Sequence, residues 1–318
     1  MPTPASGGAT CRFCGNSGAS RVTEEPAVLN CPSCGLMYLA DIPSGGGREA
    51  LYQEDYYREE TGARFLGIFE ILVGFFRRLR MRSVLRREPG PSSLLDIGCG
   101  RGILIELFQK RGWRVLGTQL SRTAAESARR QRGVEVAVGD LPDLGLEDKS
   151  FRVVTLYHVL EHVPRPDEYL REVRRLLEEG GLLVIEVPNH GGLGFRLLRT
   201  RHFCFDYPNH LVFFTPSSLA GLLGSEGFEV EGSSFFSLEY SPYTTLQNIL
   251  NFLPGPPSLL YRSLMTTPEG KRLRSHPLTW LHAVLGCLLA LPALLIALTS
   301  LLVPTGNTVR FYCRRRDG

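Results

Sequence analysis

The chain has 318 residues, 43% hydrophobic and 21% charged, and its 36 Lys and Arg against 32 Asp and Glu leave a formal charge of +4. That composition excludes a disordered or fibrous polymer and supplies enough apolar residues for one large domain plus a smaller one. The small positive excess, spread along the chain apart from local Arg clusters, demands no nucleic-acid partner.

The N-terminal MPTPASGGAT lacks the basic region and apolar core of a secretory leader, so the chain is expected to start in the cytoplasm. Four of the eight cysteines stand as Cys11-x-x-Cys14 and Cys31-x-x-Cys34, two pairs separated by 16 residues. That spacing lets two short knuckles converge on one tetrahedral ion, and Gly15 and Gly35 suit the tight turn of each. Residues 1–45 are therefore expected to form a zinc knuckle with Cys11, Cys14, Cys31 and Cys34 as ligands. Four sulfurs leave no position for water, which makes the zinc structural; the alternative is four unmetallated thiols. The other cysteines lie in core-like runs and fit a reducing compartment.

Residues 46–91 read as a basic amphipathic helical linker. Phe65–Phe76, followed by Arg77, Arg78, Arg80 and Arg82, suits either an interfacial helix or a helix covering a sheet. Over 92–240 strands and helices alternate. Ser93–Ile97 is a short buried strand, 98–102 a glycine turn and Ile103–Gln109 a helix. Further strands are expected at Arg114–Gly117, Val134–Val138, Arg152–Tyr157, Leu182–Val187 and Phe228–Gly232, with helices at Arg122–Gln131, Asp167–Glu178 and Pro216–Glu226. This alternation predicts an α/β fold built on a doubly wound, mostly parallel sheet. Ligands of such sheets sit beyond the carboxyl ends of the strands. Asp96 followed by Gly98, Gly100 and Gly102 lies there, and residues without Cβ let backbone N–H groups approach a ligand.

The ordered series LLDIGCGRG, VLGTQLS, VGDLPDL, FRVVTLYHVLEHV and LLEEGGLLVIEVPN resembles the class I S-adenosylmethionine-dependent methyltransferase family over roughly 92–235, particularly the ubiquinone-biosynthesis O-methyltransferases. The resemblance implies a Rossmann-like sheet of seven strands and S-adenosylmethionine as cofactor. It implies Gly98, Gly100 and Gly102 along the methionine part, Gln119 and Leu120 at the ribose, and Asp140 and Leu141 at the adenine, with Asp96, Cys99 and Tyr157 completing the set. Two positions depart from the family pattern: Gln119 replaces an acidic residue that would accept from both ribose hydroxyls, and Arg152 replaces an Asp. An amide still pairs with a hydroxyl but forgoes the charge-assisted part, so weaker cofactor binding is expected.

Methyl transfer is an in-line displacement at a sulfonium, served by alignment, apolar enclosure and a base on the acceptor. His158 and His162, at the end of the fourth strand, are candidate bases because imidazole titrates near working pH. Tyr157–His162 is similar to a Glu-x-x-Glu-His segment that holds a divalent metal in some quinone methyltransferases, with His158 in place of the first Glu; alternatively, Glu161 and His162 cap the following loop. Phe205–Pro216 resembles a segment that covers the acceptor in these enzymes, which makes His210 and Tyr207 further candidates, unless His210 only anchors its loop.

Trp280–Pro304 carries no charged residue and is long enough to span a bilayer of about 30 Å, but Pro292 interrupts it. Basic residues flank it on both sides, which favours both flanks staying cytoplasmic. Residues 307–313 alternate like a strand; if that strand rejoins the sheet, a single full span is excluded. Residues 241–306 are thus expected to form an apolar insertion, a helical hairpin breaking at Pro292 and dipping into one leaflet at the cytoplasmic face of a membrane, or else a buried helical pair. The acceptor is then small or lipid-linked. Two other readings stay open: a sugar C-methyltransferase acting on a nucleotide-linked sugar, and a catalytically inactive, membrane-attached binding protein with the same fold.

Overall fold

In the computed structural model, which describes residues 9–42, 67–265 and 267–316, the cysteine-rich N-terminus folds into strands β1 (Ser20–Thr23), β2 (Val28–Asn30) and β3 (Met37–Leu39). The stretch 51–60 and Phe65 lie outside the described residues. Helix α1 (Gly67–Leu85) follows, with Arg80, Met81, Ser83 and Val84 turned inward. Met81 and Val84 pack with Leu94, Leu104 and Phe108, so this helix covers the sheet.

The central unit runs β4 (Ser93–Ile97), α2 (Ile103–Gln109), β5 (Arg114–Gln119), α3 (Arg122–Arg132) and β6 (Val136–Val138). It continues through β7 (Phe151–Tyr157), α4 (Pro166–Leu176), β8 (Leu177–Pro188) and α5 (Leu193–Leu198). Next come β9 (Val212–Phe213), α6 (Pro216–Ser225) and β10 (Phe228–Ser234). Helices α7 (Ser241–Leu250), α8 (Leu259–Leu264), α9 (Pro268–Arg274) and α10 (Pro277–Leu298) form the insertion, and β11 (Thr308–Arg315) ends the described chain.

Seven strands make one sheet in the order β10-β11-β8-β7-β4-β5-β6. Strands β4 to β8 pair parallel, while β11 runs antiparallel to both β8 and β10. The chain winds outward from β4 to β6 and then reverses to β7, which puts the switch point beside the glycine turn. Every residue of β4 is buried, as a strand covered on both faces requires. Helix starts follow local chemistry: Ser121 accepts from the Ala124 N–H to cap α3, and Thr215 and Ser218 form a reciprocal capping box ahead of α6.

The second sheet, β1-β2-β3-β9, joins the two parts of the chain. Met37 pairs with Phe213 and Tyr38 with Val212, so the N-terminal module is hydrogen-bonded onto the central unit. Its Tyr38 and Leu39 belong to the same buried cluster as Ile97, Leu183, Ile185 and Val187 of the larger sheet.

The C-terminal strand rejoins the sheet as expected, but the helical break does not occur: α10 runs unbroken through Pro292. A proline inside a helix removes one hydrogen bond and costs about 3 kcal/mol in isolation. Here Pro292 is on the exposed side, while the buried Gly286, Ala293 and Ala297 fix both halves of the helix against the body. Small side chains at those positions allow close approach; a Cβ on Gly286 would lie 3.0 Å from Leu260 Cδ2.

Gly117 in β5 is required by a neighbour rather than by its dihedrals. A Cβ there would stand 2.5 Å from Cys99 Sγ and 3.0 Å from Ile105 Cδ1. Gly117→Ala is expected to lower the urea unfolding midpoint by an overpacking cost of about 1–3 kcal/mol. Adding Cys99→Ala should recover part of that loss, as a double-mutant cycle between touching groups requires.

Candidate functional site

Beyond the carboxyl ends of β4, β5 and β6 lies a cleft lined by Gly98, Thr118, Gln119, Leu120, Gly139 and Asp140, closed on the other side by Val159, His162, Val163 and Tyr169. Gln119 Oε1 accepts from the Leu120 N–H at 2.9 Å, which leaves the amide NH2 as the group available to a ligand. Asp140 Oδ1 accepts from the Leu141 N–H at 2.9 Å and caps the short 3-10 turn that follows.

Of the ten residues expected at the cofactor, Gly98, Gln119, Leu120 and Asp140 line this cleft. Gly98 takes φ +69°, and a Cβ on it would meet Val159 Cγ2 at 2.7 Å. Gly100 shares the left-handed turn, and Gly102 starts α2 against Val134 and Ala128. Cys99 points its sulfur beneath the turn toward Gly117. Asp96 lies behind the turn, accepting from Thr155 Oγ1 at 2.6 Å; burial pushes its carboxyl up to about 6 against the opposing effect of that hydrogen bond. Leu141 is buried, and Tyr157 belongs to a different assembly.

That assembly is a buried ionic cluster around Glu186 of β8, which is 1% exposed. Arg310 of β11 stands opposite it in register and bonds it through Nε at 2.6 Å. His158 Nε2 lies 3.2 Å from Glu186 and its Nδ1 3.3 Å from Glu161. Arg80 of α1 approaches Glu186 at 3.8 Å and Glu239 at 2.9 Å, and Arg77 also holds Glu239. The Arg80 guanidinium sits 4.0 Å from the Tyr157 ring centre. Burial would strip the His158 proton, but the two facing carboxylates outweigh it and lift its pKa to about 9. Burial likewise opposes ionisation of Glu186, and Arg310, His158 and Arg80 reverse that, holding its carboxyl well below the usual range. His158 is thus an imidazolium bridging two carboxylates, with no nitrogen lone pair to take a proton. Its φ of +58° is a conformation in which His is enriched among side-chain-bearing residues.

His162, which lines the cleft, meets His210 with ring centres 4.8 Å apart. His162 Nδ1 contacts the Asn209 carbonyl at 2.9 Å and His210 Nδ1 the Cys204 carbonyl at 2.9 Å. A carbonyl only accepts, so each Nδ1 carries a proton, which leaves Nε2 as the nitrogen through which either ring can exchange one. Burial, reinforced by His162, pushes His210 down to about 3 and keeps it neutral. Glu161 is wholly buried, and among the described residues neither carboxylate oxygen accepts a well-aligned hydrogen bond. Ligand atoms of Glu161, His162 and His210 all lie within 4.8 Å of one another. Tyr207, by contrast, is half exposed on its loop.

The four cysteines of the N-terminal module converge. Cys11 and Cys34 sulfurs are 3.8 Å apart and those of Cys14 and Cys31 3.6 Å apart. Corners of a tetrahedron with metal–sulfur bonds of about 2.3 Å lie about 3.8 Å apart, so the donor set fits zinc. Gly15 and Gly35 adopt φ near +70° and donate to the Cys11 and Cys31 carbonyls, closing the two knuckles. The module reaches the cleft directly: the Leu39 N–H donates to Leu211 O, and the Leu211 N–H to Glu161 O.

Sequence reasoning missed Glu186, Arg310, Arg80 and Glu239. The signal was present: a single Glu in the apolar run LLVIEVP and a single Arg in NTVRFYC, which two adjacent buried strands can tolerate only as a pair.

Residues 72–232 match a methyltransferase domain family. The chain is 31% identical over 170 residues to the ubiquinone biosynthesis O-methyltransferase of Xanthomonas axonopodis pv. citri, covering 50% of this chain and 70% of that protein. It is 38% identical over 120 residues to an uncharacterised 37.1 kDa protein in transposon Tn4556 of Streptomyces fradiae, spanning about a third of each. A SAM-dependent methyltransferase structure from Archaeoglobus fulgidus covers 78% of this chain and all of its own, at 20% identity and a TM-score of 0.47.

The ionic cluster makes stability pH-dependent. A histidine raised from about 6.5 unfolded to about 9 folded contributes fully below pH 6.5 and loses its contribution as pH rises toward 9. Chemical denaturation of wild type and His158→Asn at a series of pH values is expected to show wild type ahead at pH 6 and the gap narrowing by pH 9.

Proposed function

Because the chain belongs to the S-adenosylmethionine-dependent methyltransferase family, we propose that it methylates a small or lipid-linked acceptor at a membrane surface. The observation that carries this reading is one cleft whose lining brings Gly98 of the glycine turn, Gln119 and Asp140 together with His162, which in turn contacts His210. Bound S-adenosylmethionine supplies an electrophilic methyl group on a sulfonium. Gln119 offers its NH2 to a ribose hydroxyl oxygen, and Gly98 leaves room beside Val159. His162, its Nδ1 proton fixed by the Asn209 carbonyl, receives the acceptor's proton at Nε2. Neutral His210 lies against that ring, and the imidazolium of His158 holds Glu161 behind it.

A second reading of the same end is favoured by the Glu161 carboxylate, buried with the His158 ion pair on one side and without a well-aligned hydrogen bond among the described residues. Glu161, His162 and His210 would hold a divalent cation, whose Lewis acidity would lower the proton affinity of an acceptor hydroxyl. Loss of transfer on chelation, with restoration by Mg2+ or Mn2+, would favour the cation over the base.

The membrane surface is supported by α10, which is long and apolar enough to cross a bilayer, with about a fifth of its most apolar stretch buried. Its outer face presents Trp280, Leu288, Leu291 and Leu295, each more than half exposed. Since β11 rejoins the sheet and α10 packs on α7, this face lies along a leaflet rather than across the bilayer. In the N-terminal module Cys11, Cys14, Cys31 and Cys34 would hold a structural zinc.

Calorimetric titration with S-adenosylmethionine tests the cofactor end. Wild type should bind one equivalent, Gly98→Val should not, and Gln119→Glu should bind roughly tenfold tighter because a carboxylate restores charge-assisted pairing to the ribose. No binding by folded wild type would sink the catalytic reading in favour of a binding protein. Metal analysis should find one zinc per chain, lost in Cys14→Ser. Sedimentation with vesicles containing phosphatidylglycerol should carry down wild type, and far less of Leu288→Ser/Leu291→Ser.

A further inference from the structure

A second cavity, of about 240 Å³, lies apart from the cofactor cleft, between α5, α7 and the end of α10. It is larger than the ~150 Å³ apolar cavity that accepts a benzene-sized guest. Its mouth is formed by Leu193, Leu197, Phe252 and Ile296, all more than half exposed, and is continuous with the outer face of α10. Its floor is polar, made by Thr245, Asn248 and Asn307. Apolar walls converging on a few placed polar groups describe a ligand site better than a packing defect.

The floor is ordered by its own bonds. Asn307 Nδ2 donates to Thr245 Oγ1 at 3.0 Å, and Asn248 Oδ1 accepts from the Phe203 N–H at 2.8 Å. The Thr245 hydroxyl still has its own proton to give to a guest. Behind the floor, His202 Nδ1 accepts from the Cys204 N–H, so its Nε2–H donates to Asn307 Oδ1 at 3.3 Å, and the Cys204 carbonyl accepts from His210 Nδ1. The cavity floor is thus linked to His210, which contacts His162 of the cleft, through one chain of hydrogen bonds. Burial pushes His202 down to about 4, so it sits neutral in that chain.

The surroundings indicate where a guest comes from. Exposed Arg196 and Arg199 flank the mouth on and after α5, next to the lining residues Leu197 and Leu198. Between residues 241 and 316 the sequence holds one acidic residue, Glu269, which pairs with Arg262. An apolar mouth flanked by two exposed arginines suits a leaflet bearing anionic headgroups.

Resting on the methyltransferase reading, we propose that this cavity receives the linear aliphatic chain of a membrane amphiphile, with a hydroxyl or carbonyl group on the chain bonded at the Thr245–Asn248–Asn307 floor. A chain seated there lies behind the His202–Cys204 link to His210 and defines the lipid-linked acceptor class by its tail as well as by its reactive group.

The test uses 1-octanol, which carries a chain and a terminal hydroxyl, titrated calorimetrically into the full-length protein. One saturable site is expected, abolished in Ala297→Phe, which fills the cavity, and retained in Leu288→Ser on the outer face. Leu197→Asp, at an exposed mouth position, should weaken binding at least fivefold and decides the matter if Ala297→Phe does not fold. Absence of saturable binding by protein that still binds S-adenosylmethionine overturns the cavity assignment and leaves the methyltransferase reading standing; failure to bind either ligand removes both. Octanol affinity unchanged in folded Ala297→Phe or in Leu197→Asp also overturns it, since the guest would then sit on the outer face.

Discussion

Glu186 is the constraint around which the sheet closes. Burying a carboxylate costs several kcal/mol unless opposite charge and hydrogen bonds replace its water. Its partners come from four parts of the chain: Arg310 from the last strand, His158 from the turn after β7, Arg80 from α1 and, through Arg80, Glu239 from the segment after β10. Removing any one strands charge in the interior, so the cluster forms only when all four elements are docked. This is why the chain returns to the sheet after an insertion of four helices. The Arg310–Glu186 pair in register between β11 and β8 gives the returning strand a specific seat, where apolar alternation alone would tolerate a two-residue slip.

The same cluster decides the chemistry of the histidines. His158 and His162 are four residues apart and equally eligible as bases on paper, yet their environments separate them. His158 is held charged between two carboxylates, whereas His162 and His210 each spend their Nδ1 proton on a backbone carbonyl. His158 and His210 take different protonation states because one faces carboxylates and the other is buried against a peptide carbonyl and a second imidazole. The N-terminal module reaches this region through β3 and β9, and the bond from the Leu211 N–H to Glu161 O fixes the loop bearing His210 over the turn bearing His162. A cysteine module distant in sequence thereby shapes the cleft at His162.

The helical insertion divides polar from apolar work. Its inner stripe, His282, Gly286, Ala293 and Ala297, is small or hydrogen-bonded, with His282 Nε2 meeting the Pro254 carbonyl at 3.1 Å. Its outer face keeps large aliphatic and aromatic side chains in the open, a patch of the kind that marks an interaction surface rather than random exposure.

Much of this was legible in the sequence, because local rules governed it. The strands Ser93–Ile97 and 152–157 and the helix Ile103–Gln109 depend on apolar runs and glycine placement, which act within a few residues. The cysteine spacing likewise fixed the convergence of four sulfurs, and Gln119 and Asp140, which the family resemblance implied at the cofactor, line the cleft. Tertiary structure alone decided what depends on neighbours from elsewhere in the chain. Pro292 stays inside one helix because the body holds both halves, Cys99 and Tyr157 turn away from the cleft, and His158 becomes an imidazolium because Glu186, 28 residues on, is folded against it. Periodicity tells which face of an element is apolar; the charge state of a buried group is set by whichever groups the fold brings within a few ångströms of it.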